Sequence, residues 1–351
     1  MKKSLLALAV LGTFAGAAAA QSSVTLFGAV DLSLKYVENG SVENKQLGSD
    51  GLQSSRFGVR GVEDLGGGLR AGFHLESGLN AGTGASDATF WQRRSTVSLL
   101  GGFGEVRLGR DLNPIFLTHG TYDPFGTIGV GTSFNLISTL GSGVVTTVRT
   151  NNMVAYLTPT TIPFYAHIGV APSEGVAGNK FVGGRVGFGT GPFDISIGAS
   201  KTEADLAGTL DYEQKAIGGS FDFGFMKLFA YYLLNENSRA LAGESTAREQ
   251  SVAQIALTFP IGQSLIKAVY ARSEMDGTGT VVAPFRSIDE ADLFAVQYNY
   301  NLSRRTALYA SYSQISNDNG ANFQIPSAVA GASPAAGFKS KGYEFGVRHA
   351  F

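Results

Sequence analysis

The chain has 351 residues, with 27 basic and 28 acidic side chains, 47 glycines, 10 prolines and no cysteine. The near balance of charge excludes the basic footprint of a nucleic-acid-binding protein, and the missing cysteines exclude a disulfide scaffold or a Cys-type zinc site. Apolar residues make up 44% of the sequence, yet beyond the amino-terminal segment no run reaches the roughly 18 apolar residues that a membrane helix needs.

Residues 1–20, MKKSLLALAVLGTFAGAAAA, place Lys2 and Lys3 ahead of an apolar run from Leu5 to Phe14 and small residues ending at Ala18 and Ala20. The pattern predicts a secretory signal peptide cleaved before Gln21, leaving one domain over 21–351. Without Lys2 and Lys3 the 27 bases become 25 against 28 acids, a formal charge of −3.

From Gln21 onward the apolar residues recur at period two, the signature of strands with one apolar face. In SVTLFGAVDLSLKY, Val24, Leu26, Val30, Leu32, Leu34 and Tyr36 share one face, with Thr25, Asp31, Ser33 and Lys35 on the other. The same alternation sets Phe57 and Val59 against Arg56 and Arg60. It also sets Phe193, Ile195 and Ile197 against Asp194 and Ser196, and Phe294, Val296, Tyr298 and Tyr300 against Gln297 and Asn299. The closing GYEFGVRHAF alternates likewise, ending on Phe351. No helical stripe stands out.

The connections fall into two populations. Seven short ones, at 63–69, 100–105, 158–164, 189–194, 222–226, 259–264 and 299–305, carry the Gly, Pro, Asn and Asp of tight turns. Eight longer ones, at 38–53, 78–90, 111–148, 172–179, 201–210, 235–250, 274–290 and 317–340, alternate with them. Fifteen connections join sixteen strands. Short turns on one side and long loops on the other describe an all-β, 16-stranded antiparallel up-and-down transmembrane β-barrel. Closure is required because lipid offers no partner to an open edge, each orphan backbone group costing on the order of several kcal/mol. The apolar face then meets lipid and the polar face meets water, with Tyr36, Tyr298, Tyr300, Tyr343 and Phe351 as girdle aromatics.

SVTLFGAVDLSL, SSRFGVRGVEDLGGGLRAGFHLESG, RRSTVSLLGGFGEVRLGRDLNP, NNMVAYLTP, LSRRTALYASYS and GVRHAF together resemble the general porins of Gram-negative bacteria, in the branch typical of beta-proteobacteria. The resemblance spans the chain, densest over 23–113 and 299–351. It implies a homotrimer of outer-membrane barrels with short periplasmic turns, long external loops and a third loop folded inward to narrow the pore. It also implies partners in outer-membrane lipid and lipopolysaccharide, small ions and solutes as cargo, and a carboxyl-terminal aromatic, here Phe351, read by the barrel-assembly machinery. Residues 111–148 form the longest loop, as expected of the inward one. No cofactor is implied, although acidic external loops leave room for Ca²⁺ near Asp276 or Asp289.

A porin's site is a charge pattern in a pore. Arg56, Arg93, Arg94 and Arg149 open strands that run from the long-loop side, so they lie at similar height. Alternation points Arg56, Arg60 and Arg149 inward, and Arg94 in preference to Arg93, whereas the resemblance matches Arg56, Arg93 and Arg149 to the arginine cluster of anion-selective porins. The alternative is that these arginines serve Glu63, Glu76 or Glu105, or a subunit contact. Residues 112–148 of the loop offer only Asp123 as a carboxylate, plus His119. These residues predict a constriction with a preference for small anions. A cation-preferring or substrate-specific channel is the nearest competing reading, the latter requiring an aromatic slide that the inward positions do not show. A barrel-borne hydrolase or an adhesin is further off, because His74, His119, His167 and His349 are scattered without a nucleophile motif.

Overall fold

A computed structural model describes residues 23–242, 244–277, 289–327 and 336–351. The expected signal peptide, 1–20, lies outside these. Among the described residues one sheet of eighteen strands forms, two of which, Val42–Gly48 and Ala85–Ser86, belong to long loops. The remaining sixteen make the wall. They are β1 (Ser23–Asn39), β2 (Arg56–Gly66), β3 (Leu69–Asn80), β4 (Arg94–Gly101), β5 (Gly104–Leu112), β6 (Arg149–Leu157), β7 (Phe164–Ala171) and β8 (Phe181–Thr190), followed by β9 (Phe193–Glu203), β10 (Asp211–Asp222), β11 (Lys227–Asn237), β12 (Glu249–Ile261), β13 (Ser264–Asp276), β14 (Asp289–Asn301), β15 (Thr306–Asp318) and β16 (Lys339–Ala350).

Each wall strand pairs antiparallel with its sequence neighbours, and β16 returns to β1, with Ala350 opposite Ala29 and Ser340 opposite Asn39. Gly28 and Phe351 exchange both backbone hydrogen bonds at 3.0 Å, extending this seam to the chain end. The cylinder therefore has no open edge, which satisfies the backbone in a medium without water.

The alternation puts Val30, Leu34, Val97, Leu99, Ile255, Phe294, Val296, Phe345 and Val347 outside and exposed. Girdle aromatics flank this band. Tyr36, Tyr312 and Tyr343 cluster toward the long loops, and the pairs Phe164–Phe188 and Phe221–Phe223 stand 4.7 Å apart between centroids at the short turns. No helix of the described residues is long and apolar enough to cross a membrane, so the crossing is made by strands.

Two features depart from the sequence reading. The inner face is polar only in part, because Tyr212, Tyr231, Leu233, Val252, Val269 and Leu293 point inward as a buried apolar patch on β10 to β14. A helix also exists, α1 (Pro114–Tyr122), at the start of the third long loop, 113–148. Its stripe of Ile115, Thr118, His119 and Tyr122 follows the i, i+3, i+4, i+7 spacing of a one-sided helix. That stripe and that patch are partners. Ile115, Tyr122, Phe125, Leu136 and Leu140 of the loop bury against the wall patch and Val130 reaches Gly342 of β16, so the loop lies inside the cylinder, mainly on its β10 to β14 side.

Candidate pore constriction

The inward loop is held by hydrogen bonds as well as by apolar contact. Asn113 caps α1, its side chain accepting from Ile115 N at 3.0 Å and donating to the Thr146 carbonyl at 2.8 Å. From the wall, Gln254 donates to the Tyr122 carbonyl at 2.8 Å and Gln250 to the Leu136 carbonyl at 2.7 Å, and Tyr212 donates to the Ser138 carbonyl at 2.9 Å. Arg185 of β8 donates to the Leu117 carbonyl at 2.9 Å. Gly218 of β10 makes the seat possible, since a Cβ there would lie 2.1 Å from the Tyr122 ring. The Tyr122 hydroxyl donates to Asp194 at 2.6 Å. Burial and that carboxylate keep it above the usual phenol range, so it remains a donor.

Between this loop and the opposite wall lies an opening of ≈ 470 Å³, bordered by Arg56, Arg93 and Arg149 on one side. Facing them are Phe116, Leu117, Thr121, Thr127, Ile128 and Phe134 of the loop. A third border is the return segment of the first loop, Leu52, Gln53 and Ser54. Asp31, fully buried on β1, fixes that segment: one carboxylate oxygen accepts from Leu52 N at 2.8 Å and Gln53 N at 2.7 Å, and the other accepts from the Tyr309 hydroxyl.

The arginines are arranged around one carboxylate. Arg93 donates through Nε to Glu76 at 2.6 Å, and Arg56 lies 3.8 Å from the same oxygen. Arg149 donates through Nε to the Arg93 carbonyl at 2.8 Å. Among the described residues Glu76 is the carboxylate in ion-pair contact with this group. Simple alternation favoured Arg94, but Arg93 sits just ahead of β4 and its stem crosses the bare backbone of Gly78, its Cδ 3.3 Å from where a Cβ would stand. Arg94 also turns inward, to a lower compartment of about 240 Å³ shared with Arg60, His74, Glu105 and Arg107. There Arg94 lies 3.5 Å from Asp111, and Arg107 binds both Asp111 and Glu105, at 2.6 and 2.8 Å. Arg60 rests over the Phe27 ring, 5.2 Å from its centroid.

His119 and Asp123 do not border the opening, contrary to expectation. They are 2% and 3% exposed, on the face of the loop that meets the wall. Asp123 accepts from the Thr132 hydroxyl at 2.6 Å and Phe125 N at 2.9 Å, and His119 contacts Ser133 and the Tyr231 ring. Their work is to fold the loop. The inward aromatics Tyr212 and Tyr231 are covered by it, so they form no slide along the water path. The loop flanked by Asp276 and Asp289, where Ca²⁺ was a prospect, includes 278–288, outside the described residues. Among the described residues no group of three His, Asp or Glu is placed to hold a metal ion.

The Asp31 clamp, the Gln250 and Gln254 anchors and Arg185 were not singled out from sequence. Isolated polar residues on otherwise apolar inward positions, such as Gln254 between Val252 and Ala256, were the available signal.

A family profile described as Gram-negative porin matches residues 7–320. The chain is 35% identical to outer membrane porin protein 32 of Delftia acidovorans over all of both chains. It is 32% identical to an outer membrane porin protein of Bordetella pertussis, over 88% of this chain and 93% of that one. Among solved structures it is similar to the anion-selective porin from Comamonas acidovorans, with a TM-score of 0.83 and 33% identity, over 94% of this chain and 100% of that one.

Proposed function

This chain belongs to the Gram-negative porin family, and from that premise we propose that its constriction passes small anions in preference to cations. It is an outer-membrane diffusion channel, and its function is passage of small hydrophilic solutes, with no bond chemistry. The observation that carries the anion reading is the charge count at the opening: Arg56, Arg93 and Arg149 against Glu76, with no carboxylate from the facing loop. The relative solved as an anion-selective porin supports it.

Magnitudes decide between this local excess and the slightly acidic chain as a whole. At about 4 Å a unit charge gains about 1 kcal/mol from another in bulk water and about 4 kcal/mol where the effective dielectric falls to roughly 20. Charges on the outer loops are screened beyond about 8 Å at physiological salt. An ion in the opening therefore responds to the arginines and not to the net charge of the protein. The cation-preferring alternative would need free carboxylates at the border, and Glu76 is already engaged.

Three copies associate, in this reading, through outer faces that include the exposed aliphatic row Val97, Leu99, Val106 and Leu108 of β4 and β5. The girdle aromatics sit against lipid and lipopolysaccharide, Phe351 addresses the chain to the barrel-assembly machinery, and the leader 1–20 directs export. The selectivity test is the reversal potential of the reconstituted protein in a potassium chloride gradient. A potential of the sign set by chloride is expected, and one of the sign set by potassium would overturn the anion reading. Chemical cross-linking of the detergent-extracted protein, stopping at three copies, tests the assembly.

A further inference from the structure

We infer that the opening selects among anions by their bodies as well as their charge, favouring organic anions that join a carboxylate or similar head to a compact apolar body. The inference rests on the anion-channel reading and names the solute class of the same site.

The opening has two unlike sides. One presents guanidinium groups, as Arg56, Arg93 and Arg149. The other presents Phe116, Leu117, Ile128 and Phe134, half-buried and facing the water of the opening. Phe116 and Phe134 meet edge to face, their centroids 5.4 Å apart at 90°.

The loop's own packing explains part of this apolar side, since Phe134 also meets the buried His119 ring at 5.6 Å and Phe116 rests on Phe134, but it does not explain Leu117 and Ile128. α1 already buries Ile115, Thr118, His119 and Tyr122 against the wall. Leu117 lies on the opposite face and Phe116 on the flank that borders the opening, and at Leu117 and Ile128 a polar residue would serve equally well if only water and inorganic ions passed. Charged head and apolar body would be satisfied together: the head at the arginines, charge-assisted as in other guanidinium–carboxylate contacts, and the body against the loop, releasing water from both surfaces. Space is sufficient. The opening holds ≈ 470 Å³, and an apolar cavity of roughly 150 Å³ accommodates benzene. Chloride would use only the arginine side, and a neutral aromatic only the loop side.

The test is the chloride current through single channels in a planar bilayer, titrated separately with benzoate, acetate and benzyl alcohol. Benzoate is expected to reduce the current at a half-blocking concentration at least about tenfold below that of acetate, because several additional apolar carbons leave water. Benzyl alcohol should block more weakly than benzoate. The benzoate-to-acetate ratio, taken within each protein so that it is internally normalised, should move toward one in Phe116→Ser and in Ile128→Ser, which alter different parts of the loop. Arg56→Glu should instead weaken both acids together. Equal block by benzoate and acetate in the parent protein, or a ratio unmoved in both serine variants, would overturn the inference. A parent channel that prefers potassium over chloride would count against the anion reading itself, a result separable from the ratio.

Discussion

Arg149 donates through its Nε to the main-chain carbonyl of Arg93 at 2.8 Å, so one cation of the constriction is positioned by the backbone of another. Adjacent guanidinium groups repel, and without such fixtures they would spread toward solvent. Glu76, 2.6 Å from Arg93 and 3.8 Å from Arg56, completes the bracing. One carboxylate and one main-chain carbonyl thus steady three cations, and only one of the three charges is cancelled.

The double substitution Arg56→Glu with Arg149→Glu changes the count at the opening from three cations and one anion to one cation and three anions. Selectivity should invert. The reversal potential in a potassium chloride gradient is the measurement, and the inversion should be larger at about 0.1 M than at about 1 M salt, where screening shortens from about 10 Å to about 3 Å. An unchanged sign would remove these arginines from the selectivity mechanism.

Asp123→Asn should leave the anion preference where it is, because the carboxylate is buried against Thr132 and Phe125 and does not face the ions. Its effect should appear in the loop, as increased current noise. A marked rise in anion preference would mean that Asp123 reaches the water path after all.

Gln250→Leu combined with Gln254→Leu leaves the Leu136 and Tyr122 carbonyls without these donors. Each orphaned buried group costs about 1–3 kcal/mol, and the loop's seat should loosen. The sixteen-stranded ladder is untouched, so heat-resistant migration on denaturing gels should persist while open-channel conductance rises. Barrel melting without a conductance change would show that the two glutamines serve the wall.

Asp31→Ala should release Leu52 and Gln53 from the rim and make the conductance flicker. Asp31→Asn should restore a steady level, since a single oxygen accepts both amides in the native arrangement and an amide carbonyl can replace it. Equal behaviour of the two variants would refute the clamp.

The cylinder was legible in the sequence because a barrel wall obeys a simple period: each strand is lipid on one side and lumen on the other, and the turn residues mark every reversal. Arg56, Arg94 and Arg149 do open β2, β4 and β6. The choice between Arg93 and Arg94 was beyond alternation, since it depends on a side chain crossing Gly78 at a strand end, where the pleat no longer dictates direction. The loop was harder still. Length and family likeness placed it inside, but which of its faces met the wall depended on matching α1 to the apolar inward positions of β10 to β14. The spacing of Ile115, Thr118, His119 and Tyr122 would have supplied half of that match, assigning His119 to the buried side. Asp123 follows from the same packing and has no signal of its own.

The apolar seat on β10 to β14 makes the aqueous corridor eccentric, running beside a rigid partition on one flank and an inserted panel on the other. Width and chemical taste can then be retuned by exchanging residues of the panel that never touch lipid or the hydrogen-bonded staves. A lineage could broaden or narrow its diet through that one segment while the surrounding tube kept its architecture.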